Sequence, residues 1–349
     1  DGKVTEMMIF NNRIAMSWDE IEDLAQILTK TCNINLEQKD YQKSLQWGYY
    51  TEWWFNYGWG VGGDCAVDTT GEGDWVFTLG DKTQKRLVYN ADGHYATDAY
   101  GKALFVADGS DYTLLDGQYV GDPLPSQYEA FERFIKLGKP KAYGGLGVAM
   151  RDGADKGLST STSFFTSGKV AMLVETADKA TAFRKGIDNF EWDVAPLPIY
   201  KKYGADGKTV VNQGINVGHS GSTGIGIWTN SKVKDEAFKV AVYLSTGYAQ
   251  TLQAQNGYLI PNSKTLAESE YVKKNEGRAP KNVSIFTAHA DTSRPADWWY
   301  MPDNEWIDVW ATPLNNEYRE NDASVDDFFA RFTAATNEIL AGYKQEGMV

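Results

Sequence analysis

Two short stretches hold most of the side chains that could do chemistry. From Gln46 to Asp64 the chain reads QWGYYTEWWFNYGWGVGGD, eight large aromatic rings among five glycines. From Arg294 to Trp306 it reads RPADWWYMPDNEW, with Trp298, Trp299 and Tyr300 in succession beside Asp297 and Arg294. Rings in such numbers either fill a core or lie flat against a ligand, and the glycines break helices and let backbone come close to something flat. In an extended chain successive side chains alternate, so Trp298 and Tyr300 face one way and Trp299 the other, one set being ordinary packing. Asp297 and Arg294 either bind hydroxyls or form a surface ion pair of little energetic weight.

Other chemistries are poorly served. Cys32 and Cys65 are the only cysteines, and His94, His219 and His289 the only histidines, too scattered to assemble a zinc site. The two cysteines form one disulfide or are two reduced core residues; both readings stay open. The run GHSGSTG, from Gly218 to Gly224, lacks the spacing of a Gly-x-Ser-x-Gly nucleophile elbow and is followed by no Gly-Lys-Ser/Thr. The segments YNADGHYATD and VADGSDYTLLDGQ space Asp and Asn closely but do not fit the twelve-residue calcium loop. Acids abound, yet nothing singles out a pair at the fixed separation that glycoside cleavage needs. No catalytic residue, metal or cofactor is expected, and the chain is not expected to be an enzyme.

Composition narrows the ligand. The chain has 349 residues, room for two sizeable cores, and a formal net charge of −13, which argues against nucleic acid as a partner. No apolar run approaches the roughly 18–20 residues of a membrane span. Twelve Trp and twenty Tyr are many for this length, and that excess is the main compositional clue.

The elements that must position these residues read as α/β. SWDEIEDLAQILTK opens with a capping box, Ser17 and Glu20, and carries Trp18, Ile21, Leu24, Ala25 and Leu28 at helical spacing. From Asp68 to Gly121 short β-rich runs, DWVFTL, KRLVY and YTLL, are broken by ADG, DGS and DGQ turns, as in a hairpin-rich insertion. LPSQYEAFERFIKLG reopens a helix capped by Ser126 and Glu129, with Tyr128, Phe131, Phe134 and Ile135 as its apolar stripe. SFFTSGKVAMLVE predicts a helix end, a turn and a buried strand; WDVAPLPIY a strand stopped by prolines; SGSTGIGIWTN a strand, then the helix KVKDEAFKVAVYLST. A last helix presents Val325, Phe328, Phe329 and Phe332 on one face.

In this order, five of these segments resemble the extracellular solute-binding proteins of ABC importers, in the carbohydrate-binding group that includes maltose-binding proteins. The segments are SWDEIEDLAQILT, FFTSGKVAMLVE, WDVAPLPIY, STGIGIWTNSKVKDEAFKVAVYL and NGYLIPNSKTL, and the likeness covers most of residues 1–20, 125–270 and 295–345. The resemblance implies a two-lobed periplasmic-binding-protein-like fold that closes on an interlobe ligand cleft, and a closed form read by a membrane permease. Family members place more of the first lobe before the Trp-Asp-Glu helix. Here that helix starts at residue 17, so the sequence is expected to lack the N-terminal part of that lobe. The expected division is 1–67 as the start of the second lobe, 68–124 as the insertion, 125–212 as the rest of the second lobe, 213–290 as a first-lobe segment, and 291–349 as an aromatic cleft loop with C-terminal helices.

The resemblance also implies roles. A sugar offers apolar C–H faces to rings and a hydroxyl rim to charged and amide groups. Trp47, Tyr49, Trp53 and Trp54 fall where the family places an aromatic cleft segment, Tyr49 matching its stacking tyrosine; the competing reading buries Tyr50, Phe55 and Tyr57 in a helix. Trp298, Trp299 and Tyr300, with Asp297, fall near its aromatic loop at the cleft mouth. Glu175 and Asp178, with Thr176, stand where the family carries a ligand-facing residue that is often aromatic, which suggests hydroxyl binding. Ser220 and Ser222 belong to a glycine-rich cleft-lining loop. The implied function is capture of an oligosaccharide by a monomer outside the cytoplasmic membrane, as a cell-surface lipoprotein or periplasmic protein. The alternatives are a binder of a polyamine or peptide, a secreted carbohydrate-active enzyme, or an adhesive module without a hinge.

Overall fold

The computed structural model describes residues 11–32, 47–99, 101–150, 160–221 and 224–345. They fall into two compact units, one built from 17–175, 198–222 and 290–349, the other from 1–16, 176–197 and 223–289.

The larger unit begins with α1 (Trp18–Cys32). Its capping box forms as the sequence predicts: Glu20 N–H donates to Ser17 Oγ at 3.0 Å and Ser17 N–H to the Glu20 carboxylate at 2.6 Å. Trp18, Ile21 and Ala25 are buried. Next come β1 (Trp47–Tyr50) and the short α2 (Asn56–Trp59). The hairpin region holds β2 (Ala66–Asp68), β3 (Trp75–Phe77), β4 (Lys85–Tyr89), β5 (Phe105–Ala107) and β6 (Tyr119–Val120). β2 pairs with β3, and β4 lies between β5 and β6. The expected strand YTLL does not form, because β5 and β6 already take both edges of β4; Tyr112 and Leu115 stay exposed. Its turns match the sequence, with Gly93, Gly109 and Gly117 all at positive φ.

α3 (Gln127–Gly138) carries the second predicted capping box, Ser126 with Glu129, and buries Phe131 and Phe134. β7 (Ala149–Met150), α4 (Ser161–Thr166) and β8 (Val170–Leu173) follow. β1 runs parallel between β7 and β8, with Tyr49 opposite Ala149 and Met172. Parallel strands with helical crossovers make this an α/β unit, as expected. The segment WDVAPLPIY makes only an isolated bridge, Ile199 to Ser17, since Pro196 and Pro198 have no N–H for a ladder. β9 (Lys201–Tyr203) and β10 (Val210–Gln213) form a hairpin. The helices Glu305–Pro313 and Val325–Gln345 close the core with Trp306, Trp310, Phe328 and Phe332 buried.

Arg319 is fully buried in this core; Nη1 donates to both Glu52 oxygens at 3.0 Å and to Asn315 at 2.9 Å, and the guanidinium lies 4.4 Å from the Phe134 ring centroid. The pair ties the loop after β1 to the C-terminal helices. Cys65 is a free, buried thiol, so the bridge to Cys32 is not made.

The smaller unit packs α5 (Lys179–Gly186), α6 (Lys234–Ser245) and α7 (Gly247–Gln255) with the turns that follow. Ala254, Tyr271 and Val283 form its core, and buried Asn275 donates to the carbonyls of Ala254 and Tyr271. α6 buries no residue; Phe238, Val240 and Tyr243 are exposed. The strand expected within SGSTGIGIWTN joins no sheet among the described residues; only its first residue, Ser220, bonds across to another segment, at the isolated bridge between His219 and Arg294, and Ile225 and Trp228 are exposed.

Replacing Arg319 with Ala is expected to cost about 3 kcal/mol or more, because it leaves Glu52 unpaired; urea unfolding checks it. Ser126→Ala is expected to cost about 1 kcal/mol through loss of the α3 cap. An unchanged unfolding midpoint in either variant contradicts the corresponding account.

Candidate functional site

Three separate segments of the larger unit meet at one place: the loop after β1 with α2, the loop at His219, and residues 292–300. The C-terminal ends of parallel strands are where an α/β sheet leaves a crevice, and Trp53 and Trp54 follow β1 there directly. The His219 loop is joined to the third segment by backbone: Arg294 N–H donates to Gly218 O at 3.0 Å and Ser220 N–H to Arg294 O at 2.8 Å. It is joined to the first by Asn56 Nδ2, 3.4 Å from Val217 O, and by Ile215 N–H, 2.9 Å from Gly60 O.

The rings then converge. His219 lies 5.9 Å from Trp53, 5.7 Å from Trp298 and 5.8 Å from Trp299, centroid to centroid. Trp298 stacks on Trp59 at 5.9 Å and 20° and also meets Phe55 and Trp54. Trp54 abuts the buried Trp310 edge-on at 5.0 Å, so it is held from behind. Trp53, Trp54 and Trp298 are half-buried, while Trp299 is 42 % exposed. Burial pushes the His219 pKa below its ordinary value, which leaves the ring neutral at pH 7, and its Nε2 is buried with no hydrogen-bond partner in the protein. A neutral imidazole among indoles can stack and can exchange a hydrogen bond with a neutral hydroxyl.

Charge is concentrated just behind. Arg294 donates from Nη1 to Asp64 Oδ1 at 2.6 Å and from Nη2 to Asp297 Oδ1, and Cys65 N–H donates to the other Asp297 oxygen at 2.7 Å. The guanidinium also lies 4.8 Å from the Trp59 ring centroid. Burial acts to raise the Asp64 pKa, but Arg294, Lys102 and Lys85 outweigh it and hold the carboxyl below its ordinary value. At Asp297 burial prevails over Arg294 and the value rises. Burial also pushes the Cys65 thiol far up, so it is not a nucleophile. Among the described residues no cluster of three or more His, Cys, Asp or Glu is placed to hold a metal ion.

The expected site residues divide as follows. Trp53, Trp54, Trp298 and Trp299 come together, with Ser220 exposed at the edge. Asp297 is there too, but as part of a buried triad and not a surface pair; it is 4 % exposed and its oxygens are taken. Residues 297–300 form a 3₁₀ turn in place of an extended strand, so Asp297 and Tyr300 share one side while Trp298 turns toward Trp59. Tyr300 stacks on Trp75 at 5.5 Å and 21°. Tyr49 is 3 % exposed in the middle of the parallel sheet, which corrects its stacking role to a core one. Trp47 packs against Tyr50, Phe164 and Val170, again core. Glu175 accepts from the Ser161 hydroxyl, and Asp178, exposed, accepts from Thr176 and belongs to the smaller unit. Ser222 lies outside the described residues.

The sequence reading missed the His219 ring and the carboxylate of Asp64. It weighed Trp59 as a ligand contact beside Trp53 and Trp54, whereas that ring is buried as the wall behind Trp298. The glycines of the 46–64 stretch serve protein packing: a Cβ on Gly58 or Gly63 would collide with the Gln127 side chain, and one on Gly60 with the carbonyl of Ile215.

Replacing Arg294 with Met is expected to destabilise the protein by about 3–5 kcal/mol at pH 7, since two buried carboxylates lose their partner. The gap should narrow on acidification. A carboxyl whose folded pKa is lowered contributes stability above its unfolded value, about 3.9, and loses it as pH falls through the folded one. Without Arg294 the Asp297 value rises further, so its charged form costs more at neutral pH; both acids give the same sign. Urea unfolding of both proteins at neutral and strongly acidic pH measures this, and a pH-independent gap contradicts it.

Neither a family model nor a curated protein matches the sequence. Solved structures do match its fold, two among them in complex with ligands. The ABC substrate-binding protein Lmo0181 from Listeria monocytogenes, in complex with cycloalternan, superposes with a TM-score of 0.56 at 13% identity, over 95% of this chain and 66% of its own. UgpB from Mycobacterium tuberculosis, in complex with glycerophosphocholine, gives 0.55 and 13%, over 96% of this chain and 65% of its own. The chain thus spans just under two thirds of the length of each. Low identity over nearly the whole chain is a likeness of backbone architecture, and on it the chain has the fold of an ABC substrate-binding protein.

Proposed function

We propose that the protein is a carbohydrate-binding member of the extracellular solute-binding proteins, capturing an oligosaccharide and delivering it to the permease of an ABC importer. The observation that carries this reading is the convergence of Trp53, Trp54, His219, Trp298 and Trp299, from three distant segments, on a fold shared with Lmo0181. Indole faces cover the C–H faces of a pyranose, and the neutral His219 ring beside Trp299 adds a further flat face. The ligand acts by its differential affinity for an open and a closed form, and capture involves no covalent step. The protein works as a monomer on the outer side of the cytoplasmic membrane, free in a periplasm or lipid-anchored. No described helix is long and apolar enough to cross a membrane.

A second reading has one observation in its favour. Several indoles around one point also suit an ammonium group through cation–π attraction, and UgpB, of the same fold, is seen with glycerophosphocholine. A polyamine or a choline ester is then the ligand.

Titration calorimetry with malto-, xylo-, manno- and galacto-oligosaccharides, with spermidine and choline in the same series, separates the two. Binding of a neutral sugar with a change in tryptophan fluorescence is the expected outcome. Trp54→Ala and Trp299→Ala are each expected to weaken it about tenfold. Binding confined to the cations overturns the sugar reading, and release of cleaved product points to an enzyme.

A further inference from the structure

Beside Trp59 the larger unit holds a cavity of about 800 Å³. One wall comes from the hairpin region, with Trp75, Lys102 and Phe105; the other comes from the 3₁₀ turn, with Asp297 and Tyr300. Its size falls in the range of roughly 300–1,000 Å³ that holds a ligand of several hundred daltons.

The lining defines the chemistry of an occupant. Arg294 is held by Asp64 and Asp297. Lys85 donates to Gly62 O at 2.6 Å and stands 4.0 Å from Asp64. Asp68 is saturated by its own loop, accepting from the backbone N–H groups of Thr70, Gly71, Gly73 and Asp74. Asp98 accepts from Lys102 N–H at 2.9 Å, and Lys102 Nζ stands 3.9 Å from Asp64, so each charged group of the lining already has a partner within the protein. Aromatic surface remains: the Trp75–Tyr300 stack, with Tyr300 57 % exposed at the rim. Lys102 Nζ, on a side chain 54 % exposed, adds a donor opposite. Flat apolar faces with a few polar groups at the edge fit a neutral, polyhydroxylated ring.

We infer that this cavity is a second sugar-binding site, contributed by the hairpin region, that takes further residues of the oligosaccharide held on the ring cluster. The inference rests on the carbohydrate reading. Continuity comes from the 3₁₀ turn: Trp299 belongs to the cluster, and Tyr300, the next residue, to the cavity rim, both exposed. The two sites are thus joined by adjacent residues of one turn. The site makes affinity depend on chain length.

The test is calorimetry on the full chain with glucose, maltose and maltotetraose, and with the xylose and mannose counterparts, using wild type, Tyr300→Ala and Lys102→Ala. Thermal unfolding confirms that each variant is folded. For the series that binds, Tyr300→Ala is expected to weaken the tetrasaccharide about tenfold while leaving the shortest bound sugar unchanged. Lys102→Ala, on the opposite wall, is expected to weaken the tetrasaccharide as well. Wild-type affinity that does not rise with length, or tetrasaccharide binding unaffected by both variants, overturns the second site alone, with Trp54→Ala still weakening every length. Absence of binding to any sugar overturns the carbohydrate reading and this site with it.

Discussion

The arrangement depends on one buried cation. Arg294 holds Asp64, at the entry to the hairpin region, and Asp297, in the 3₁₀ turn, and lies over Trp59 between them. Two carboxylates and a guanidinium this far from water are tolerable only because each has a fixed partner: the side chains are 18 %, 5 % and 16 % exposed for Asp64, Asp297 and Arg294. Backbone hydrogen bonds to the His219 loop hold the same segment from its other side. With the Arg294 clamp, Trp298 is brought onto Trp59 and Phe55, and Trp299 beside His219.

A second buried arginine, Arg319, does the corresponding task one layer deeper. It fixes Glu52, which directly precedes Trp53 and Trp54, against the C-terminal helices. Trp54 in turn rests on Trp310. The rings are therefore backed by largely buried charged and aromatic groups. Such backing limits rotamer freedom before a ligand arrives, which lowers the entropy cost of stacking on these rings.

Several local features were legible in the residues. Ser17 with Glu20, and Ser126 with Glu129, mark two helix starts because a capping box is a contact between residues three apart. The apolar spacing of α1, α3 and the last helix gave their buried faces, since a helix repeats its environment every three to four residues. The turns at Gly93, Gly109 and Gly117 were visible because only glycine takes positive φ readily. YTLL and SGSTGIGIWTN failed as strands for a common reason. A strand exists by pairing, and pairing is not written in the segment itself.

The sequence alone determined an acidic α/β chain with an excess of indoles in two clusters and capped helices around them. It could not say which rings are free. Trp47 and Tyr49 look as suited to a ligand as Trp53 and Trp54, yet the central strand buries Tyr49 and packs the half-buried Trp47 against Tyr50, Phe164 and Val170, while the loop beyond its end brings Trp53 and Trp54 to the ring cluster. Nor could it show that Asp64 and Asp297, far apart in the chain, share one arginine. Those outcomes depend on long-range packing, in which a side chain's exposure is set by what the rest of the chain places over it, and only the tertiary structure decides that.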